Sequence, residues 1–411
     1  MKRKRTLIFC FILITISLSA YNIKHNGIYY TSYSNSYPFT AIVNSGTIKY
    51  SGSVTIPDTI HVFGVTYTIT GISNTAFSYC PDLISVSIPN TLETIEDDTF
   101  ANCTGLASIT IPNSVTKIGW NVFYNCGNLK TVNLGASVAS IGWYTFSFCS
   151  SLTEINVDEN NQNYYSKNGV LFNKDMTTLI NCPNGLSDQF IMPNTVTTVR
   201  NYAFADCTKL TSIIMSENLN WIMDDAFVRC SKLTSVSLPD SLYHIGYNAF
   251  GECTSLTSIT IPRSVYSISN KVFDGCTNLM AIHARSPIPC IFWETTFQNV
   301  FYGMNTNTCV LYVPLGSKSA YENAPQWWLF LNIVEETTDI KQISPSLSGI
   351  YIQDNMINFR NLIVGELIQI YTQDGKLVFH EKAKEEFYGI QLPKNKLYII
   401  KIGEKCTKII L

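Results

Sequence analysis

Five histidines, His25, His61, His244, His283 and His380, are scattered along the chain with no metal-ligand spacing and no nucleophile set beside them. No Gly-x-Ser-x-Gly elbow, His-Glu-x-x-His pair or phosphate loop occurs. Two carboxylate pairs, Asp97-Asp98 and Asp224-Asp225, have the chemistry to hold a cation or share a proton, and they read more simply as solvated turn residues. The cysteines are the regular set. Cys80, Cys103, Cys126 and Cys149, then Cys207, Cys230, Cys253 and Cys276, return every 23 residues within each run. They lack the Cys-x-x-Cys pair or neighbouring His that would complete a metal set. The expectation is a chain with no catalytic, metal or cofactor site, and so not an enzyme.

A fixed period of this length marks a solenoid, and the elements that hold the thiols share its register. Phe77, Phe100, Phe123, Phe146, Phe204, Phe227, Phe250 and Phe273 stand three residues before the cysteines, and a leucine stands three after each. In the unit that begins Cys103-Thr-Gly-Leu106, the segment Ile109-Thr-Ile111 alternates with period two, as a half-buried strand does, and Pro112 closes it. Val115 and Ile118 line a return side, Ile118-Gly119 marks a corner, and the segment through Phe123 to Cys126 is expected to form a helical or 3-10 turn. One unit cannot bury its apolar face alone. Stacking at about 4.8 Å per rung turns single side chains into continuous ladders. Equivalent cysteines then lie about one rung apart, beyond the roughly 3.5–4.5 Å between Cβ atoms that a disulfide prefers, so the eight are expected to be buried thiols acting as small hydrophobes. Cys290 and Cys309 fall outside the ladder, and a disulfide between them stays open.

This pattern resembles the leucine-rich repeats of BspA-like surface proteins, over roughly residues 45 to 335. Ser53-Val-Thr-Ile-Pro57 and Tyr67-Thr-Ile-Thr-Gly-Ile72 are similar to the entry cap of such arrays, and Cys309 to Pro314, Tyr321 and Trp327-Trp328 to the exit cap. The resemblance implies a cell-surface or extracellular protein whose function is adhesion to host proteins or to other cells. The fold class expected is mainly β: a leucine-rich repeat solenoid with short strands, followed by a small antiparallel β-sandwich. The organisation reads as a signal peptide over 1–20, an entry cap over 21–71, repeats over 72–285, an exit cap over 286–335, a linker over 336–345 and a terminal domain over 346–411. A hairpin insertion falls near 160–182.

Lys2-Arg3-Lys4-Arg5, the apolar run Leu7 to Leu18, and Ser17-Leu-Ser-Ala20 have the three parts of a secretory signal. No later segment is long and apolar enough to span a membrane as a helix. The formal charge of −2 becomes −6 without the four basic residues of this segment, and no cluster of Lys and Arg marks a nucleic-acid footprint. The interval from Cys149 to Cys207 is 58 residues, one period of 23 and one of 35, so one unit is 12 too long. The extra length, Tyr164 to Ile180, reads as two strands around Asn173-Lys174-Asp175 that project from the stack, either as a tolerated loop or as a side wall for a binding surface. Near the end, Ile370 to Val378, Leu392 to Ile402 and Lys408-Ile-Ile-Leu411 resemble the type A sorting domain of type IX secretion. The secretion machinery is the partner that resemblance implies.

Two sets of residues are candidates for ligand binding. Trp120 and Trp143 are one period apart, at a turn position that Asp97, Asp224 and Asn270 occupy on other rungs, which implies exposure. With Tyr124, Tyr144 and Phe148 they form a candidate aromatic platform for a protein or for the apolar face of a sugar, or they pack down onto the corner. On the strand face, Asn133, Glu154, Asn156, Thr211, Ser235 and Thr257 belong to a hydroxyl- and amide-rich lawn. Threonine also suits a solvated strand by propensity alone. The ligand class, a host or cell-surface protein against a glycan, stays open at this level, as does a purely structural surface role.

Overall fold

The computed structural model describes residues 22–32, 37–292 and 299–336, and short stretches between 350 and 410. The proposed signal peptide and most of the linker lie outside the described residues. The chain divides into two compact units between Glu335 and Glu336.

In the first unit every repeat contributes one strand to each of two parallel stacks. One stack, the strand face, runs Ser108–Thr110, Thr131–Leu134 and Glu154–Val157, then resumes as Asp188–Ile191, Leu210–Ile214, Ser235–Ser237, Ser258–Ile261, Ala281–Ala284 and Val310–Pro314, with Asn332–Glu336 as the seventh strand of that sheet. The other, the return side, is made of two-residue strands such as Lys117–Ile118 and His244–Ile245. Registers advance by one period per rung, Thr131 pairing with Ser108 and with Glu154, which is why identical positions form columns. Ile109, Val132 and Ile155 of these strands, and Ile118 and Ile141 of the return, point into one core. The phenylalanines of successive rungs stack, Phe100 on Phe123 at 5.7 Å and Phe227 on Phe250 at 5.2 Å between centroids.

The segment around each phenylalanine is not helical, contrary to the expectation. The residues two before and two after it, from Thr75 and Tyr79 to Asn248 and Glu252, have φ values of 51–64° although none is glycine. Right- and left-handed residues therefore alternate, and alternate N–H groups point along the solenoid instead of back into a helix. Phe77 N–H donates to Thr99 O at 2.9 Å and Phe227 N–H to Ala249 O at 2.8 Å, while the intervening N–H groups close three-residue turns. Asn and Asp tolerate this conformation better than other residues, and they fill Asp98, Asn102, Asn121, Asn125, Asp206, Asp225 and Asn248.

Each thiol also does more than fill space. Cys103, Cys126, Cys149, Cys230, Cys253 and Cys276 donate to the carbonyl of the phenylalanine one rung earlier at 3.0–3.2 Å. Cysteine is the small apolar side chain that carries a donor for an acceptor in that position. Cys290 and Cys309 stand as free thiols.

The insertion does not project. It forms three antiparallel strands, Tyr164–Lys167, Val170–Asn173 and Thr178–Asn181, the last of which joins the return side in parallel with Thr198–Val199. Val170, Leu171 and Phe172 are all buried; Leu171 packs in the core of the first run, Val170 and Phe172 in that of the second. The middle strand is thus a wall between two cores. Asn184 joins the runs across it, accepting Cys149 N–H at 3.2 Å and donating to Ala205 O.

Among the described residues of the second unit, seven strands form two antiparallel sheets, one of three and one of four, around a core that includes Ile357, Phe359, Ile368, Ile370 and Ile400.

Candidate binding surface

Both strand-face stacks end at the insertion, so the six candidates named there do not form one surface. Asn133, Glu154 and Asn156 belong to the three-stranded stack, whereas Thr211, Ser235 and Thr257 lie in or beside the seven-stranded one. Much of the polarity is spent between rungs. Thr211 Oγ1 donates to Asp188 O at 3.1 Å, and Thr234 Oγ1 to Thr211 O at 3.2 Å. Asn156 Nδ2 donates to Asn133 Oδ1 at 3.1 Å, and Asn133 Nδ2 to Thr110 Oγ1 at 3.2 Å. Ser235 and Thr257 are exposed.

Where the three-stranded stack stops, the tip of the first insertion hairpin comes up against its last strand. Asn168 and Gly169, at φ 53° and 78°, make the tight two-residue turn that an Asn-Gly pair favours. Gly169 is required twice over, since a Cβ there would also lie 2.7 Å from Thr153 O. Ile155 N–H donates to Gly169 O at 2.9 Å, and Ser166 Oγ donates to Ile155 O at 2.5 Å. Between strand and tip lies an open cleft of about 530 Å³, lined by Thr153, Glu154, Asn156, Val157, Ser166, Asn168 and Gly169. Only Glu154 and Asn156 of these were legible from the repeat. The Asn168-Gly169 pair was the available signal for the rest, together with the unbroken apolar run Val170-Leu-Phe172, which marks a strand covered on both faces.

The aromatic candidates separate into three contacts. Trp120 and Trp143 are 57% and 44% exposed and stack with centroids 5.6 Å apart at 11°. Because one rung is about 4.8 Å, most of that separation lies along the solenoid. Each ring turns one face to the other. Tyr124 meets Phe148 edge-on at 5.1 Å, and Tyr144 pairs with Tyr202 of the next run at 3.8 Å. The Arg229 guanidinium lies 4.9 Å over Phe148 and forks onto both oxygens of Asp206. A further stripe was missed, although its residues also repeat by position: Tyr243 and Tyr266 stack at 5.3 Å, with Trp221 tilted against Tyr243 and His244.

The acid pairs are half-exposed, and Asp97, Asp224 and Asp225 also act as rung-to-rung staples. Asp97 Oδ1 accepts Trp120 N–H at 2.8 Å, and Asp224 Oδ1 accepts Tyr247 N–H at 2.7 Å. Asp225 accepts from Asn248 Nδ2 at 2.6 Å; burial pushes its carboxyl up, opposed by that bond. His244 shares a proton contact with Ser267 Oγ at 2.7 Å, and burial lowers its pKa. Among the described residues no three His, Cys, Asp or Glu side chains are grouped as metal ligands. No helix of the described residues is long and apolar enough to cross a membrane.

Comparison with known proteins places the fold. The family model described as "BspA type Leucine rich repeat region" matches in six copies, over residues 70–188 and 181–301. Among solved structures, the pneumococcal vaccine antigen PcpA is 21% identical with a TM-score of 0.51, covering 77% of this chain and 99% of that one. A leucine-rich cell-surface protein of Faecalibacterium prausnitzii is 22% identical with a TM-score of 0.39, covering 77% and 98%. A leucine-rich repeat protein of Eubacterium ventriosum is 20% identical with a TM-score of 0.46, covering 67% and 92%. No curated protein matches in sequence.

Proposed function

The chain belongs to the BspA-type leucine-rich repeat family, and on that premise we propose that it is a secreted, surface-displayed adhesin that holds host proteins or other cells. The observation that carries this reading is the cleft of about 530 Å³ at the break in the strand face, where polar side chains of the rungs and of the insertion converge on open space. Elsewhere on that face Thr211 and Thr234 spend their hydroxyl protons on backbone carbonyls of the preceding rung. Many copies on one surface would let weak single contacts act together. Residues 1–20 serve as the secretion signal in this reading, and residues 346–411 as a type A sorting domain for type IX secretion. The two antiparallel sheets of the second unit support the latter.

A lectin-like role would rest on Trp120 and Trp143. Sugars stack on ring faces, and the mutual stack takes up one face of each ring. The test is binding of the full chain to paired arrays of matrix proteins and glycans, alongside the Trp120→Ala/Trp143→Ala double variant. Matrix-protein signals that survive the double substitution are expected, with a stability loss of only about 1–2 kcal/mol because both rings are half exposed. Glycan signals that vanish with it would replace adhesion by polysaccharide capture, and the absence of any partner would favour a structural surface role. Deleting residues 343–411 should abolish surface display; unchanged display would remove the sorting-domain assignment.

A further inference from the structure

Resting on that reading, we propose that the cleft between Glu154–Val157 and the Ser166–Gly169 tip receives a basic side chain, arginine or lysine, of a partner polypeptide. Hydrogen-bond direction sets the chemistry of the cleft wall. Along the three-stranded stack each amide gives its N–H to the rung before it: Asn133 Nδ2 to Thr110 Oγ1, then Asn156 Nδ2 to Asn133 Oδ1. The row ends at the break, so the Oδ1 of Asn156 is the end that faces the cleft side. Thr153 Oγ1 likewise donates back, to Lys130 O at 3.4 Å, and Ser166 Oγ donates to Ile155 O. A hydroxyl that has given its one proton keeps only lone pairs, and an ionised carboxylate such as exposed Glu154 has nothing else. Of the five polar side chains lining the cleft, Thr153, Glu154 and Ser166 are therefore left as acceptors, Asn156 keeps its Oδ1 and one of its two N–H groups, and Asn168 has both an acceptor and donors to offer.

A wall of acceptors with one negative charge is complementary to a group that has several N–H donors, a positive charge and no acceptor. Guanidinium and ammonium groups meet that description; saccharide hydroxyls bring lone pairs of their own. Asp158 and Glu159 follow the strand in sequence, Lys130 stands one rung before Thr153, and Lys167 follows Ser166. Strand alternation sends Lys167 to the face opposite Ser166. The volume of about 530 Å³ exceeds a single guanidinium, leaving room for the backbone that bears it.

The test titrates the full chain with the peptide acetyl-Gly-Arg-Gly-amide, its citrulline counterpart and a neutral disaccharide, read by saturation-transfer NMR. The arginine peptide is expected to bind at least tenfold more tightly than the citrulline peptide. Glu154→Gln, an isosteric change at an exposed position, should weaken it about tenfold, and Asn168→Asp, which keeps a side chain suited to φ 53°, should tighten it several-fold. Glu96→Gln, far along the return side where Glu96 pairs with Lys117, should change nothing. Equal binding of the citrulline peptide, indifference to Glu154→Gln, or displacement by the disaccharide would overturn the inference. The protein array run in parallel separates the two claims. Array partners with no preference for arginine would sink the cleft assignment and leave adhesion standing, whereas arginine-selective binding with no array partner would uphold the cleft and remove adhesion.

Discussion

Replacing Cys230 by alanine and, separately, by serine distinguishes a thiol that donates from a thiol that only fills. Cys230 is fully buried, and its sulfur lies 3.1 Å from Phe204 O, which also accepts Cys207 N–H at 3.1 Å. Alanine removes the sulfur, worth about 0.8 kcal/mol of transfer free energy if counted as a methylene. A residual void of roughly 20 Å³ adds about 0.5 kcal/mol, and loss of a weak donor adds on the order of 0.5 kcal/mol. The expected destabilisation is about 2 kcal/mol, with the Phe204 carbonyl still held by its turn. Serine loses the same apolar content and keeps a donor aimed at that carbonyl, so it should be about 1 kcal/mol more stable than alanine. Were the carbonyl out of reach, a buried hydroxyl without a partner would cost about 1–3 kcal/mol more instead. The order of the two variants therefore decides. Stacked repeats need not unfold in one step, so urea midpoints should be paired with hydrogen exchange at Phe227 N–H, one rung on. Serine falling below alanine by 1 kcal/mol or more would refute the donor role.

The same burial makes stability sensitive to alkali. Burial pushes the Cys126, Cys290 and Cys309 thiols up to about 12, and those of Cys149, Cys182, Cys230 and Cys276 upward as well. A thiol raised in the folded state keeps its proton there while the unfolded chain ionises near about 8.5, so this contribution is whole below that value and is lost as pH rises towards about 12. Each such thiol should remove about 1.4 kcal/mol per pH unit across that window; a thermal midpoint that stays flat from pH 8 to 11 would contradict it. Gly246→Ala should cost about 3 kcal/mol, because the new Cβ would lie 2.5 Å from the Met223 carbonyl carbon and 2.6 Å from Asp224 N. Gly127→Ala, whose Cβ meets nothing nearer than Ser150 Oγ at 4.0 Å, should stay within about 0.5 kcal/mol; equal thermal midpoints for the two variants would show that rung spacing is not what demands glycine.

The 23-residue register determined the solenoid by itself, since apolar residues at fixed spacing leave stacking as the one way to bury them. It located the strand face, the phenylalanine and thiol columns, and the corner glycines. The chemistry of those columns was decided between rungs. Nothing in a single repeat says that Phe carbonyls face the next rung's thiol, that Asp97 and Asp224 bind the next rung's backbone, or that left-handed residues replace a helical turn, because each depends on atoms one period away. The break at Glu154–Val157 was least legible. Asn168-Gly169 signalled a turn, and Val170-Leu171-Phe172 a strand with no solvated face. Whether that hairpin left the stack or entered it was settled only by packing, for a strand apolar on both faces is stable where a core stands on either side. Placing it there closed two cores, ended one sheet, and opened the cleft beside it.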